Sequence, residues 1–121
     1  MKRIVLVDDD NGILDAVTMI LSRAGYAVDT FLKGESLIDD QFTEPDLFII
    51  DKQLSGIDGL DLCKFLKQRT PLRNTPIIIF SASPHVSKIA LNAGADDFLE
   101  KPFKSASLLE MVNKHLHNSA R

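Results

Sequence analysis

The chain has 121 residues, 45% hydrophobic and 26% charged, and its formal net charge is -3 at pH 7. This length predicts one domain over residues 1–121 that buries roughly two thirds of its unfolded surface. The acidic balance argues against direct nucleic-acid binding, and the single Cys63 excludes a disulfide framework. No apolar run approaches the roughly 20 residues of a membrane span, so we expect a cytoplasmic protein.

Short apolar runs alternate with segments of helical periodicity along the chain. The first run, residues 4–7, precedes an apolar stripe at helical spacing that stops at Gly25, a residue suited to a left-handed helix end. Further strands are predicted over residues 26–31, 46–51, 76–81 and 97–99. Further helices are predicted over residues 34–42 and 60–69, and around two apolar sets: Val86, Ile89, Ala90 and Ala93, closed by Gly94, and Leu108, Leu109, Val112 and Leu116.

The alternation predicts a (βα)5 protein of the α/β class. Continuous apolar runs are typical of strands buried on both faces of a parallel sheet, and right-handed crossovers then place helices on both faces. Strands lie about 4.8 Å apart, so the ends of strands one, three and four share a site only if these strands are close. The flavodoxin-like order 2-1-3-4-5 meets this condition in a three-layer, doubly wound sheet.

Polar side chains follow the apolar runs where each strand is predicted to end. Asp8 and Asp9 follow the first run, Asp51 ends the third strand, Ser81 ends the fourth, and Lys101 follows the fifth. Parallel strands bring their carboxyl ends to one edge, so these groups should meet there. Two carboxylates about 4 Å apart repel by about 4 kcal/mol at an effective dielectric near 20, and an oxygen-only cluster favours Mg²⁺.

Such a site can transfer a phosphoryl group. A carboxylate accepts phosphate when a metal and a cation neutralise the transferring oxygens and hold the reactants in line. Asp51 is the natural acceptor, with Lys101 and the Ser81 hydroxyl around the bound group, so positioning and electrostatics would supply most of the catalysis.

The motifs also carry a family resemblance. They are the string Val7-Asp8-Asp9-Asp10, Asp51 with Gly59 eight residues on, Ser81-Ala82 thirty residues after Asp51, and Phe98-Leu99-Glu100-Lys101-Pro102-Phe103. In this order and spacing the sequence resembles the receiver domain of two-component response regulators, chemotaxis regulators among them, across almost its whole length.

The resemblance implies a role for each motif residue. Asp8 and Asp9 would be the acidic pair for Mg²⁺, the backbone carbonyl of Gln53 would complete the metal shell, and Asp51 would take phosphate from a phosphohistidine of a sensor kinase or phosphotransfer protein. Ser81 would be the switch hydroxyl beside Ala82, Phe98 the switch aromatic and Lys101 the phosphate-binding lysine, with a cis peptide before Pro102.

The resemblance also implies a signalling switch that is not a turnover enzyme. The surface expected to change comprises residues 85–93, Phe98 and residues 104–114. A downstream protein, an output domain or a second copy in a phosphorylation-dependent homodimer would bind there. Ser55 stands where the family usually has proline, and Lys52 beside the acceptor is also unusual, which leaves loop geometry and phosphoryl lifetime open.

Other interpretations are weighed beside this one. Asp10 or Asn11 could simply cap the first helix, as acidic residues at helix starts often do. The Asp-x-Asp pattern from Asp8 also fits a haloacid dehalogenase-like phosphatase with Asp8 as nucleophile, although only Glu110 follows Lys101 as a further acid. A pseudo-receiver that binds a partner without phosphorylation is the third interpretation.

Overall fold

The computed structural model describes residues 1–117, which form five strands and five helices in alternation. The strands are β1 (Arg3–Val7), β2 (Ala27–Phe31), β3 (Leu47–Asp51), β4 (Ile77–Ser81) and β5 (Asp97–Glu100). The helices are α1 (Asn11–Arg23), α2 (Glu35–Ile38), α3 (Gly59–Lys67), α4 (Val86–Asn92) and α5 (Ser105–His117), with one 3₁₀ turn at Thr70–Leu72. Residues 118–121 of the predicted domain lie outside the described range.

The strands form one parallel sheet in the order β2-β1-β3-β4-β5, as predicted. The register pairs Val7 with Ile50 and Asp51 with Phe80, so β1, β3 and β4 end beside one another. The order reverses between β1 and β3, which opens a crevice at their carboxyl ends. The predicted location of the site therefore follows from the sheet order.

Helices cover both faces of the sheet. Residues of α2, α3 and α4 pack with one face, which carries Val5, Val7, Phe48 and Ile50. Residues of α1 and α5 pack with the other face, which carries Ile4 among others. Successive side chains of a strand enter opposite layers, and both layers are apolar. A strand in the middle of this sheet therefore needs an apolar residue at nearly every position. Each fully buried side chain of this kind contributes roughly 1.5–3 kcal/mol.

The ends of α1 follow from single residues. The Asp10 carboxylate accepts hydrogen bonds from the backbone N–H groups of Gly12 at 2.8 Å and Ile13 at 3.3 Å, which makes Asp10 the N-cap. At the other end Gly25 adopts φ +96°, the left-handed conformation that glycine tolerates best. Both the capping interpretation of Asp10 and the predicted stop at Gly25 are confirmed.

Three local predictions are wrong. The second helix, predicted over residues 34–42, ends at Ile38, because the chain turns at Asp40 with φ +63°. Ile89, predicted to face the core, is 54% exposed, since α4 is short and buries Val86 and Ala90 instead. Tyr26 precedes β2 instead of opening it, and its buried ring sends the hydroxyl to Asn113 of α5 as a hydrogen-bond donor.

A polar cluster joins β5 to α5. Asp97 Oδ2 lies 2.9 Å from His115 Nε2 and 3.2 Å from Lys114 Nζ, and its Oδ1 accepts from the Phe98 N–H at 3.0 Å. Burial acts to raise the pKa of Asp97, but the hydrogen bonds from His115, Phe98 and Lys114 outweigh it and hold the pKa below its ordinary value. The folded state therefore favours the charged carboxylate.

This cluster predicts a defined pH dependence of stability. A carboxyl whose folded pKa is depressed stabilises the fold above its unfolded pKa, near 4, and loses that contribution as the pH falls through the folded value. We expect Asp97→Asn to lower the free energy of unfolding by about 1 kcal/mol at pH 7. Urea unfolding of both proteins from pH 7 to pH 2.5 should show a constant difference in the free energy of unfolding above about pH 5, and this difference should disappear in acid. A difference that widened in acid would contradict the assignment.

Candidate functional site

The site lies at the carboxyl ends of β1, β3 and β5. Asp8 directly follows β1, Asp51 is the last residue of β3, and Lys101 directly follows β5. The sheet order thus brings together side chains that are up to 93 residues apart in sequence. They border a pocket of about 220 Å³, which is lined by Asp8, Asp9, Asp10, Asp51, Gln53, Ala82 and Lys101.

Lys101 binds two of the acidic side chains. Its Nζ donates to Asp8 Oδ2 at 2.9 Å and lies 3.3 Å from Asp51 Oδ1. Burial acts to lower the pKa of Lys101, but the hydrogen bond to Asp8 and the charges of Asp51 and Asp8 outweigh burial and raise it. The side chain therefore remains an ammonium group aimed at the acidic cluster.

Asp51 is buried, and its surroundings oppose its charge. Burial raises the pKa of this carboxyl, and the neighbouring Asp8 charge raises it further. Lys101 and a hydrogen bond from the Gln53 backbone N–H act in the opposite direction but do not cancel the rise. A carboxylate in this position stays poorly compensated until more positive charge arrives.

The carboxylates of Asp8, Asp9 and Asp51 could hold a metal ion. One oxygen from each lies within 4.8 Å of the others, and Asp9 is exposed at the mouth of the pocket. Hard carboxylate oxygens with room for water suit Mg²⁺, which keeps several water ligands when it binds proteins. A single ammonium beside three carboxylates also leaves net negative charge, so the donor set fits a divalent cation.

The acidic run after β1 divides into three separate roles. Asp8 is 1% exposed, and its Oδ1 accepts from the Asp10 N–H at 3.0 Å while its Oδ2 binds Lys101. Asp9 offers its carboxylate to the pocket, whereas Asp10 caps α1. Sequence motifs alone do not separate these roles, because they depend on which way each side chain turns after the strand.

The residues predicted for the switch lie on β4 and β5. Ser81 is buried, and its Oγ accepts a hydrogen bond from the Ser83 N–H at 3.1 Å. Phe98 is partly buried and packs against the core layer that contains α2, α3 and α4. The peptide bond between Lys101 and Pro102 is cis, as the resemblance implies. Ser81 and Phe98 are not among the residues lining the pocket, whereas Ala82 is.

Sequence reasoning missed the contacts of the loop between β3 and α3, residues 52–58. Lys52 Nζ lies 2.8 Å from Asp58 Oδ2, and the Ser55 hydroxyl donates to Asp9 Oδ2 at 3.2 Å. Opposite charges at both ends of a short loop could have suggested the first contact. No local pattern signals the second, because its partners are 46 residues apart.

The site thus combines a parallel, flavodoxin-like sheet with an acidic pocket and a partly buried lysine at the carboxyl edge of that sheet. Residues 4–113 match the family model described as the response regulator receiver domain. The chain belongs to this family, whose members are signalling domains of two-component systems.

Individual relatives agree with this assignment. The phosphate regulon transcriptional regulatory protein PhoB of Rhizobium meliloti (strain 1021) is 34% identical over 122 residues, 98% of this chain and 54% of PhoB. The signal receiver domain of a signal transduction histidine kinase from Syntrophus aciditrophicus matches with TM-score 0.91 and 31% identity, covering 100% of this chain and 94% of that one. The chemotaxis response regulator CheY4 of Vibrio cholerae matches with TM-score 0.88 and 28% identity, covering 96% and 99%.

The chain spans about half the length of the curated relatives it matches. Across residues 1–117, none of the helices combines the length and the apolar character required to span a bilayer. The cytoplasmic location stays a prediction.

Proposed function

We propose that this chain is a phosphorylation-dependent switch in which Asp51 accepts a phosphoryl group from a phosphohistidine of a sensor kinase or phosphotransfer protein. The observation that carries the proposal is the Lys101 ammonium, which lies between Asp8 and Asp51 at the edge of an acidic pocket. Family membership supports this reaction over the phosphatase alternative with Asp8 as nucleophile.

The transfer is a single displacement at phosphorus. An Asp51 carboxylate oxygen forms a bond to phosphorus as the phosphorus–nitrogen bond of the donor histidine breaks, and the imidazole keeps the electron pair. Lys101 can turn from Asp8 to the incoming phosphoryl oxygens, because it already lies 3.3 Å from Asp51. Loss of the group is the attack of water on the same phosphorus, which makes the switch reversible.

Mg²⁺ is the proposed cofactor. Asp8, Asp9, Asp51 and the backbone carbonyl of Gln53 would hold it, since these residues border one pocket and three of them offer carboxylate oxygens to one point. When bound, the ion supplies positive charge to the transferring phosphoryl oxygens and aligns them with the acceptor.

An apolar hollow beside the pocket provides a surface for the donor protein. It encloses about 530 Å³ between α1 and the start of α5, with Ile13, Val17 and Phe103 in its lining. Ala82 and Lys101 line both this hollow and the acidic pocket, so the two are adjacent. A donor helix seated on the apolar surface would therefore bring its phosphohistidine towards Asp51.

The proposed signal leaves the site through Ser81. A phosphoryl group on Asp51 offers acceptor oxygens to which the Ser81 hydroxyl can donate; in the structure the Ser81 oxygen accepts from the Ser83 N–H. Movement of Ser81 makes room for Phe98 to turn from half-buried to buried, worth up to roughly 1.5–3 kcal/mol. The surface of residues 85–93, Phe98 and residues 104–114 then changes for a downstream protein, an output domain or a second copy.

Mapping of the phosphorylated residue tests the proposal. Incubation with acetyl phosphate and Mg²⁺ should add one phosphoryl group that is labile in alkali, and peptide mass spectrometry after borohydride reduction should place it on Asp51. EDTA should prevent the modification because the acidic cluster then lacks its cation. Label on Asp8 would instead favour the phosphatase, and no label at all would favour the phosphorylation-independent module.

Ser81→Ala separates phosphorylation from its readout. The variant should still take phosphate at Asp51, because the acceptor, the metal ligands and Lys101 remain. It should lose most of the conformational response, since alanine has no hydroxyl for the phosphoryl oxygens to draw inward. Amide hydrogen exchange with and without beryllofluoride checks this at residues 85–93, Phe98 and residues 104–114. Equal changes in wild type and variant there would contradict the route, and Ser22→Ala on α1, outside the measured surface, serves as the serine control.

A further inference from the structure

The loop of residues 52–58 is closed at its base. Lys52 and Asp58 form an ion pair of 2.8 Å, and the Gly59 N–H donates to the Lys52 carbonyl at 2.9 Å. Asp58 also caps α3, because its Oδ1 accepts from the Leu60 N–H at 2.7 Å. These contacts connect the loop to the end of β3 and to the start of α3, so its tip has a defined position beside the acidic pocket.

The tip of the loop is restrained from the side of α2. Gly56 adopts φ +90°, and a Cβ there would lie 2.2 Å from Glu35 Oε2. Glu35 therefore covers the turn at Gly56 closely, and glycine adopts this left-handed backbone without strain. The residue before Gly56 is Ser55.

Ser55 contacts one of the proposed metal ligands. Its hydroxyl donates to Asp9 Oδ2 at 3.2 Å across 46 residues of sequence, and this contact joins the loop to the segment after β1. We propose that Ser55 is a positioning residue for Asp9 in the Mg²⁺ site, an inference that rests on the proposed function. The hydroxyl holds one carboxylate oxygen and leaves the other free for the cation.

The physical argument is preorganisation of an exposed ligand. Asp9 is exposed, so its carboxylate would rotate freely without a partner and would lose that freedom on binding the ion. A donor that restrains the carboxylate beforehand reduces this loss, as hydrogen-bond partners of metal ligands commonly do.

Magnesium titration of the unphosphorylated protein tests the inference. Isothermal titration calorimetry of Ser55→Ala should give a dissociation constant about three- to tenfold weaker than wild type, below the loss for a buried partner because this contact is exposed. Ser55→Thr keeps the hydroxyl and should restore most of the affinity. Ser22→Ala is the matched control, since this exposed serine lies near the far end of α1, and it should bind as wild type does.

A second variant separates positioning from a general effect on the fold. In an Asp9→Asn background, Ser55→Ala should cause no further loss of affinity, because the carboxylate that Ser55 restrains is already gone. Equal affinity of Ser55→Ala and wild type, or the same additional loss in both backgrounds, would overturn the inference. If the inference is overturned but Ser55→Ala still takes phosphate at Asp51 at saturating Mg²⁺, the proposed function stands. If the wild-type protein takes no phosphate at Asp51, the proposed function itself is contradicted.

Discussion

Asp51→Asn should abolish incorporation of phosphate completely, because the amide has no anionic oxygen to attack phosphorus. The same change should make the folded protein more stable at pH 7. Burial and the charge of Asp8 raise the pKa of Asp51 in spite of Lys101, so the folded state disfavours the carboxylate and a neutral side chain of the same shape relieves that cost. The charged Asp51 carboxylate therefore lowers the stability of the fold, but phosphorylation requires it.

Two measurements check this result. Acetyl phosphate labelling should fall to background, and the urea midpoint in EDTA should rise above that of the wild type. Added Mg²⁺ should narrow the difference in midpoint, because the ion binds the folded wild-type site and stabilises it by mass action. Asp97→Asn is the matched control, since it also removes one partly buried carboxylate but should lower stability and leave labelling intact. Residual phosphate on Asp51→Asn would place the acceptor elsewhere.

Gly59→Ala should destabilise the protein by about 3 kcal/mol and displace the acceptor. A Cβ at this position would lie 2.1 Å from the Asp51 carbonyl oxygen and 2.8 Å from the Lys52 Cα, and both atoms belong to the backbone. Neither can rotate away, so the end of β3 or the start of α3 must move. That movement would shift Asp51 relative to Lys101 and slow phosphorylation in the fraction that still folds.

A second glycine, in the first turn of α1, provides the control. Gly12→Ala places a Cβ 3.1 Å from Asp10 Oδ1, which is the end of a side chain, and alanine is the better helix former within α1. Urea unfolding should therefore show a large loss for Gly59→Ala and a change within about 1 kcal/mol for Gly12→Ala. Similar urea midpoints for both variants would contradict this prediction. They would show that a Cβ on Gly59 has more room than its 2.1 Å distance from the Asp51 carbonyl oxygen implies.

The sheet and the set of residues at its carboxyl edge are largely encoded in local sequence. Alternating strand-like and helix-like segments predict five parallel strands, and the requirement that the polar ends of strands one, three and four meet predicts the order 2-1-3-4-5 that the structure confirms. This prediction works because parallel strands bring their carboxyl ends to one edge of the sheet, which places Asp8, Asp51 and Lys101 together there. The Gly25 stop and the Asp10 cap are equally local, because each depends on the backbone of only a few residues.

Tertiary packing, and not local sequence, decided which helix residues face solvent and where the second helix ends. Ile89 satisfies the helical period, yet it is exposed because α4 meets the sheet through Val86 and Ala90. The second helix stops early at Ile38, where Asp40 turns left-handed and its carboxylate binds Arg69 at 2.8 Å. In both cases a contact with a distant segment overrides a local preference that is worth only a fraction of a kilocalorie per residue.

The sequence by itself determined the fold, the family and the residues that meet at the carboxyl edge of the sheet, because strand burial and motif order are properties of short segments. Tertiary structure decided how those residues are held: Lys101 on Asp8 at 2.9 Å, Gly59 against the backbone of Asp51, and the Ser55 hydroxyl on Asp9. Such contacts join segments far apart in the chain, and no local pattern encodes them. They exist only once both core layers have packed and brought the ends of the strands into register.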